Sequence, residues 1–239
     1  ITKMSPALAA GNTIVLKPSE QTPLTTLRLA KLAEDIFPAG VINVITGYGE
    51  TAGAEMASNK DIDIISLTGG TDTGKVVARI ASDTLKHVHL ELGGKAPALV
   101  LDDADPKQVA ESLKWASFWN AGQDCSAASR VIVTKNSYEK VTAALVESVQ
   151  SLIVGDPGNE STQMGPLTHN SHNKNVLGYF SRALKNGARV LIGGNQMNRV
   201  GYFVEPTIMT DVDQKSEIVQ NEVFGPLITI QKAEDNNQA

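Results

Sequence analysis

The sequence predicts an α/β fold built from two successive units. Two observations carry this. Over the first ninety-odd residues, apolar runs of strand length alternate three times with segments of helical spacing, the pattern of a parallel sheet with crossover helices. Past Gly93-Gly94 the alternation resumes with new strands and longer amphipathic helices, a second α/β unit.

The elements follow in order. Thr13–Lys17 (TIVLK) is a strand bounded by Gly11-Asn12 and Pro18. Thr22 caps a helix with Pro23 at its first position, and the helix runs to Phe37 before Pro38-Ala39-Gly40 stops it. Val41–Thr46 is the next strand, and Gly47-Tyr48-Gly49 opens a helix over Glu50–Ser58. Ile62–Thr68 is a strand, Gly69-Gly70 a turn, Asp72–Ser82 a helix and Lys86–Glu91 a strand. Parallel sheets bind ligands beyond the carboxyl ends of their strands, which places Lys17, Thr46-Gly47 and Thr68-Gly69-Gly70 along one crevice. In the second unit, strand Ala98–Leu101 ends in Asp102-Asp103-Ala104-Asp105-Pro106, and a helix reaches Trp119. Strand Arg130–Thr134, helices Tyr138–Ile153 and His169–Asn186, and strands Arg189–Ile192, Val204–Met209 and Leu227–Ile230 complete it, with Gln220–Pro226 as a loop.

Composition narrows the function. The 239 residues are 41% hydrophobic, enough for a sizeable core. The formal net charge is −5 and the basic residues are scattered, which argues against nucleic acid as a partner. The longest apolar runs are too short to span a bilayer, so no membrane association is expected. The single cysteine fits a reducing compartment, and a cytoplasmic location is expected. Ile1 is not an initiator methionine and the last residues stop in a polar stretch, so the chain reads as an internal piece of a longer protein.

Two stretches carry chemistry. Leu90–Lys95 (LELGGK) holds Glu91 among glycines, and Asn120–Ser126 (NAGQDCS) holds Cys125 at the end of a polar turn. A thiol is intrinsically a strong nucleophile once ionised, but a lone cysteine is as often a buried structural residue. Glu91 is open to two readings as well, a solvated strand-end carboxylate or a general base. Lys17-Pro18-Ser19-Glu20 ends a strand with a donor and an acceptor for ribose hydroxyls, and a glutamate there repels a 2′-phosphate; a charged turn is the alternative. Gly47-Tyr48-Gly49 and Gly69–Gly74 match neither a dinucleotide fingerprint nor a P-loop, yet either can offer amides to a pyrophosphate. His87, His89, His169 and His172 lack the partners that a metal site needs, so no metal is expected.

Taken together, these residues resemble the aldehyde dehydrogenase superfamily. The resemblance runs through nearly the whole chain, from Pro6–Asn12 through Lys17-Pro18-Ser19-Glu20, Leu67-Thr68-Gly69, LELGGK, Gly122-Gln123-Asp124-Cys125 and Gly165-Pro166-Leu167 to Glu222-Val223-Phe224-Gly225-Pro226. Phe37–Asn43 and the GQDC form of the cysteine motif are most similar to the aminobutyraldehyde dehydrogenase branch. The resemblance implies a partial Rossmann-like NAD-binding domain over residues 1–92 and an α/β catalytic domain over 93–239. It implies Cys125 as nucleophile and Glu91 as the base that activates water, with a small aldehyde as substrate. It implies NAD held by Lys17, Ser19, Glu20, Gly69, Gly70, Leu92, Glu222 and Phe224. Gly70 departs from the pyrophosphate-binding serine common in the family, which leaves that contact to backbone or water.

Trp119, Asp124 and Ser126 are implied to line the substrate pocket, where an anion and an aromatic face suit an ammonium tail; the alternative is that Asp124 turns away to cap a backbone N–H. An ω-aminoaldehyde such as 4-aminobutanal is therefore expected. Betaine aldehyde and succinate semialdehyde oxidation, and a non-catalytic truncated paralogue, are the alternatives. A homo-oligomer, dimer or tetramer, is implied for the intact protein. The family's oxyanion-binding asparagine is expected upstream of Ile1.

Overall fold

The computed structural model describes all 239 residues. The chain forms two compact units, Ile1–Leu92 and Gly93–Ala239. No helix is long and apolar enough to cross a membrane.

The first unit carries strands β1 (Ile14–Leu16), β2 (Ile42–Val44), β3 (Ile64–Gly69) and β4 (His87–Leu92). Its helices are α1 (Met4–Ala9), α2 (Leu24–Ala33), α3 (Ala54–Ser58) and α4 (Thr71–Ser82). All pairing is parallel, but the expected single sheet is replaced by two separate pairs, β1 with β2 and β3 with β4. Periodicity locates a strand; which strand it joins is set by contacts distant in sequence.

Helix boundaries shift for local reasons. Pro23 itself is the N-cap of α2, already in helical geometry and without a side-chain cap. The helix ends at Ala33, not at Phe37. The N–H groups of Ile36 and Phe37 both fold back onto the Ala33 carbonyl, and Pro38 disfavours helical geometry at Phe37. Gly69 closes β3 and is not a turn residue, while Gly70 is the extended N-cap of α4.

The second unit is a five-stranded sheet in the order β5 (Pro97–Val100), β6 (Arg130–Thr134), β9 (Leu227–Ala233), β8 (Thr207–Thr210), β7 (Arg189–Ile192). Only the β7–β8 pairing is antiparallel. Helices α5 (Pro106–Phe118), α6 (Tyr138–Gln150), α7 (Asn170–Lys185) and α8 (Glu217–Gln220) connect it. Asp105 caps α5 by accepting from the N–H groups of Lys107 and Gln108, with Pro106 at the first helical position. Strand β8 begins at Thr207, three residues later than expected. Pro206 has no N–H to give a ladder, and Val204 makes only an isolated bridge to Gln196. All of β8 and most of β9 are buried on both faces, as strands covered by helices require.

The apolar interior is concentrated in this unit, where Phe118, Leu145, Phe180, Met209 and Ile228 lie in one cluster. Truncating a buried phenylalanine such as Phe180 to alanine would cost about 3–5 kcal/mol. The first unit has a far smaller buried cluster, Ala57, Ile65 and Ala81.

Candidate active site

In the second unit, Cys125 is exposed and is the only cysteine. Helix α5 runs into a tight turn at Trp119, and Asn120, Ala121 and Gly122 then take three consecutive left-handed conformations, with φ of 53°, 56° and 70°. Left-handed backbone is costly for Ala121, so the surroundings must hold it. The buried Gln123 does much of this. Its Nε2 donates to the Asn120 carbonyl at 2.9 Å and its Oε1 accepts from Thr168 N–H at 3.0 Å. Asn120 Nδ2 returns a bond to the Gln123 carbonyl at 3.0 Å. The thiol thus stands on a turn fixed from both sides.

Asp124, the residue before it, accepts from Ser126 N–H and Ser126 Oγ, both at 2.8 Å and both on Oδ1. This Asx turn commits one carboxylate oxygen and the Ser126 hydroxyl to the loop. Trp119 is 62% exposed. No protein group accepts from the Cys125 N–H, so that donor is free to bind an oxyanion.

The Glu222–Pro226 loop packs against the cysteine loop. A Cβ on Gly122 would collide with the Gly225 carbonyl. Glu222 lies over Gly93, where a Cβ would overlap its carboxylate, and Oε1 accepts from Gly94 N–H at 3.4 Å. Burial raises the Glu222 pKa, against the opposing pull of the Gly94 N–H and the Lys95 charge. Lys95 Nζ is buried with no hydrogen-bond partner. Burial, reinforced by the charge of Arg130 and opposed by that of Glu222, pushes the Lys95 ammonium down to about 8.

Phe224 has φ of 55°, and its carbonyl accepts from His172 Nε2 of α7 at 2.7 Å. That contact fixes the tautomer, since only an N–H can face a carbonyl. Burial lowers the His172 pKa.

In the first unit, Lys17 Nζ donates to the carbonyls of Pro18 at 2.8 Å and Gly47 at 3.1 Å, and lies 3.8 Å from Glu20. These bonds join the ends of β1 and β2 and hold the Lys17 ammonium near Glu20. Ser19 Oγ accepts from Gln21 N–H at 3.2 Å, so it shapes the turn. At Gly70, where α4 opens, a Cβ would meet nothing within 4 Å. Leu92 packs on α4 at Gly74, where a Cβ would sit 2.8 Å from the leucine Cδ2. Glu91 pairs with His89, Nε2 to Oε1 at 3.2 Å, and His89 Nδ1 bonds Ser66 Oγ at 2.8 Å.

His172, His89 and Ser66 lay outside the residues that the sequence assigned to the site, and Gly93 and Lys95 lay within LELGGK without a role of their own. Only the alternation that puts His89 and Glu91 on one strand face was a usable signal.

The whole chain, residues 1–239, matches the family model described as the Aldehyde dehydrogenase family. It is 45% identical over 242 residues to an aldehyde dehydrogenase of Emericella nidulans, covering 99% of this chain and 48% of that protein. Among solved structures it is similar to betaine aldehyde dehydrogenase from Staphylococcus aureus in complex with NAD+. That likeness has a TM-score of 0.95 at 38% identity, over 99% of this chain and 48% of the other. A mutant form of an aldehyde dehydrogenase from Bacillus cereus gives a TM-score of 0.95 at 43% identity, over 98% of this chain and 48% of that one. The chain therefore spans about half the length of the relatives it matches.

Proposed function

The chain belongs to the aldehyde dehydrogenase family, and from that premise we propose that the protein oxidises an aldehyde to its carboxylic acid with NAD as the oxidant. The observation that carries this is Cys125, a sole thiol held exposed on a locked left-handed turn with its own N–H unpaired.

The residues present fit NAD. The Lys17–Glu20 pair at the end of β1 suits ribose hydroxyls, and its carboxylate disfavours a 2′-phosphate. The extended Gly70 cap leaves open space before the amides of α4, which suits a pyrophosphate in place of a serine contact. Glu222 on its Gly93 seat, with Phe224 beside it, suits the second ribose. When bound, NAD supplies the hydride acceptor.

The chain's own residues do the rest. Cys125 Sγ, ionised, bonds to the aldehyde carbon, and the carbonyl oxygen becomes an oxyanion that the Cys125 N–H can meet. After oxidation the acyl group remains as a thioester on sulfur. Glu91 takes a proton from water, and the water oxygen displaces the sulfur.

For the substrate we infer an ω-aminoaldehyde. Asp124 Oδ1 is spent on Ser126, but Oδ2 accepts no bond and stays available to an ammonium group. Trp119 offers an exposed aromatic face in the same stretch of chain. The test compares kcat/KM for 4-aminobutanal, betaine aldehyde and butanal in the intact protein and in Asp124→Asn. The variant should lose selectivity for 4-aminobutanal over butanal; equal effects on the two would refute the amine preference. A Cys125→Ser protein that oxidised any of the three at the parental rate would refute the reaction itself.

A further inference from the structure

We propose that His89 is a positioning residue for Glu91, and that Ser66 fixes His89 for this task. The inference rests on Glu91 acting as the general base. Strands β3 and β4 pair in parallel with Ser66 beside His89 and Thr68 beside Glu91. Residues two apart on a strand share a face, so His89 and Glu91 stand side by side. His89 Nε2 lies 3.2 Å from Glu91 Oε1, and Nδ1 lies 2.8 Å from Ser66 Oγ.

The chemistry of the three groups sets the direction of each bond. A neutral imidazole has one donor and one acceptor nitrogen, and an ionised carboxylate only accepts. Nε2 therefore carries the hydrogen toward Glu91, and Nδ1 accepts from the Ser66 hydroxyl. The serine selects the tautomer that the carboxylate needs. With Oε1 tied to His89, Oε2 is left as the oxygen that meets water.

Both partners of the pair are 58% exposed, so the contact adds little to stability. Its effect is to choose one rotamer of a carboxylate that would otherwise sample several. The Lys3 ammonium also senses Glu91, and it supplies attraction without a hydrogen bond. His87 stands on the same strand face, one step further from Glu91.

The step concerned is hydrolysis of the thioester. The water oxygen bonds to the acyl carbon and one water proton passes to Glu91. The carbon–sulfur bond breaks with its electron pair left on Cys125 Sγ, and the remaining hydroxyl stays on the acid product.

The test isolates this step from the cofactor. In the intact protein, 4-nitrophenyl acetate acylates Cys125 directly, and intact-mass spectrometry then follows decay of the acetyl-enzyme. Glu91→Gln should stall that decay. His89→Leu should acylate at the parental rate but deacylate about two- to fivefold more slowly, the bias that an exposed contact can give a rotamer, and His89→Gln, which can still donate, should recover part of the loss. Ser66→Ala should show a smaller slowing, and it decides the matter if His89→Leu does not fold. Parental deacylation in His89→Leu, or in Ser66→Ala if that variant decides, while Glu91→Gln stalls overturns the positioning role and leaves the base intact. Parental deacylation in Glu91→Gln removes the base, and the proposal with it.

Discussion

Glu222 and Gly93 share one space: the carboxylate lies where a side chain at residue 93 would begin. The residue that gives way on adding a methyl group there is the far end of a flexible glutamate, not backbone. Gly93→Ala should therefore keep the fold, with a melting temperature within a few degrees of the parent, while moving Glu222 off Gly94 N–H. A hydrogen bond from a ribose hydroxyl to this carboxylate would be worth roughly 1.5–3 kcal/mol, so with Glu222 displaced the KM for NAD should rise about tenfold or more. A variant with unchanged KM would show that Glu222 does not bind the cofactor.

Lys95 gives a pH signature with a definite sign. Its folded pKa, about 8, lies below the ordinary lysine value of 10.5. Between those values the unfolded chain binds the proton that the folded chain has lost, so this lysine makes stability rise with pH across that window. Below about 8 the buried ammonium is a standing cost. Lys95→Met should remove that cost and be more stable at pH 7 by an amount on the order of 3 kcal/mol. Urea midpoints of parent and variant at pH 7 and pH 10 measure it, and the gap between them should narrow at the higher pH.

Gly122→Ala meets backbone on both counts. Its φ of 70° disfavours a side chain, and the new Cβ would overlap the Gly225 carbonyl and stand 2.9 Å from Pro226 N. Neither neighbour can swing aside. We expect a loss of about 3 kcal/mol or more in denaturant unfolding. Cys125 should at the same time lose its selective reactivity toward 4-nitrophenyl acetate, since the loop that presents it cannot close.

His172→Leu should free the Phe224 carbonyl and leave its left-handed backbone unsupported. The KM for NAD should rise several-fold with a smaller change in kcat. The parent should also lose stability as pH falls below the ordinary histidine range of about 6.5. There the unfolded chain gains a proton that burial, and the neighbouring His169, keep His172 from taking. The leucine variant should show a shallower loss. Thermal melts at pH 5 and pH 7.5 compare the two.

How much of this was legible depends on range. The strands announced themselves as apolar runs between glycines and prolines, and Cys125 stood out as the one thiol in a polar turn. The division of the first four strands into two pairs did not, because Leu16 and Ile64 carry no local mark of their neighbours. Nor did the left-handed run: Asn120 and Ala121 are not glycines, and only the Gln123 bridges explain how they are held. The helix at Glu217–Gln220 is a single turn, too short to show a period. Gly93 drew notice as part of a motif, but its need to be glycine comes from Glu222, more than a hundred residues further along.

The unequal division of apolar interior between the two units has a consequence for how this 239-residue chain opens. Segments with little buried apolar surface exchange their amide hydrogens through low-energy local fluctuations, whereas a large core exchanges only on near-global unfolding. The amides of Leu67 and Val88, in the unit whose buried cluster is two alanines and one isoleucine, should become deuterated well before those of Val131 and Ile228. The strands that carry Glu91 and its histidine then belong to the part of the molecule that breathes, and the strands around the thiol to the part that does not.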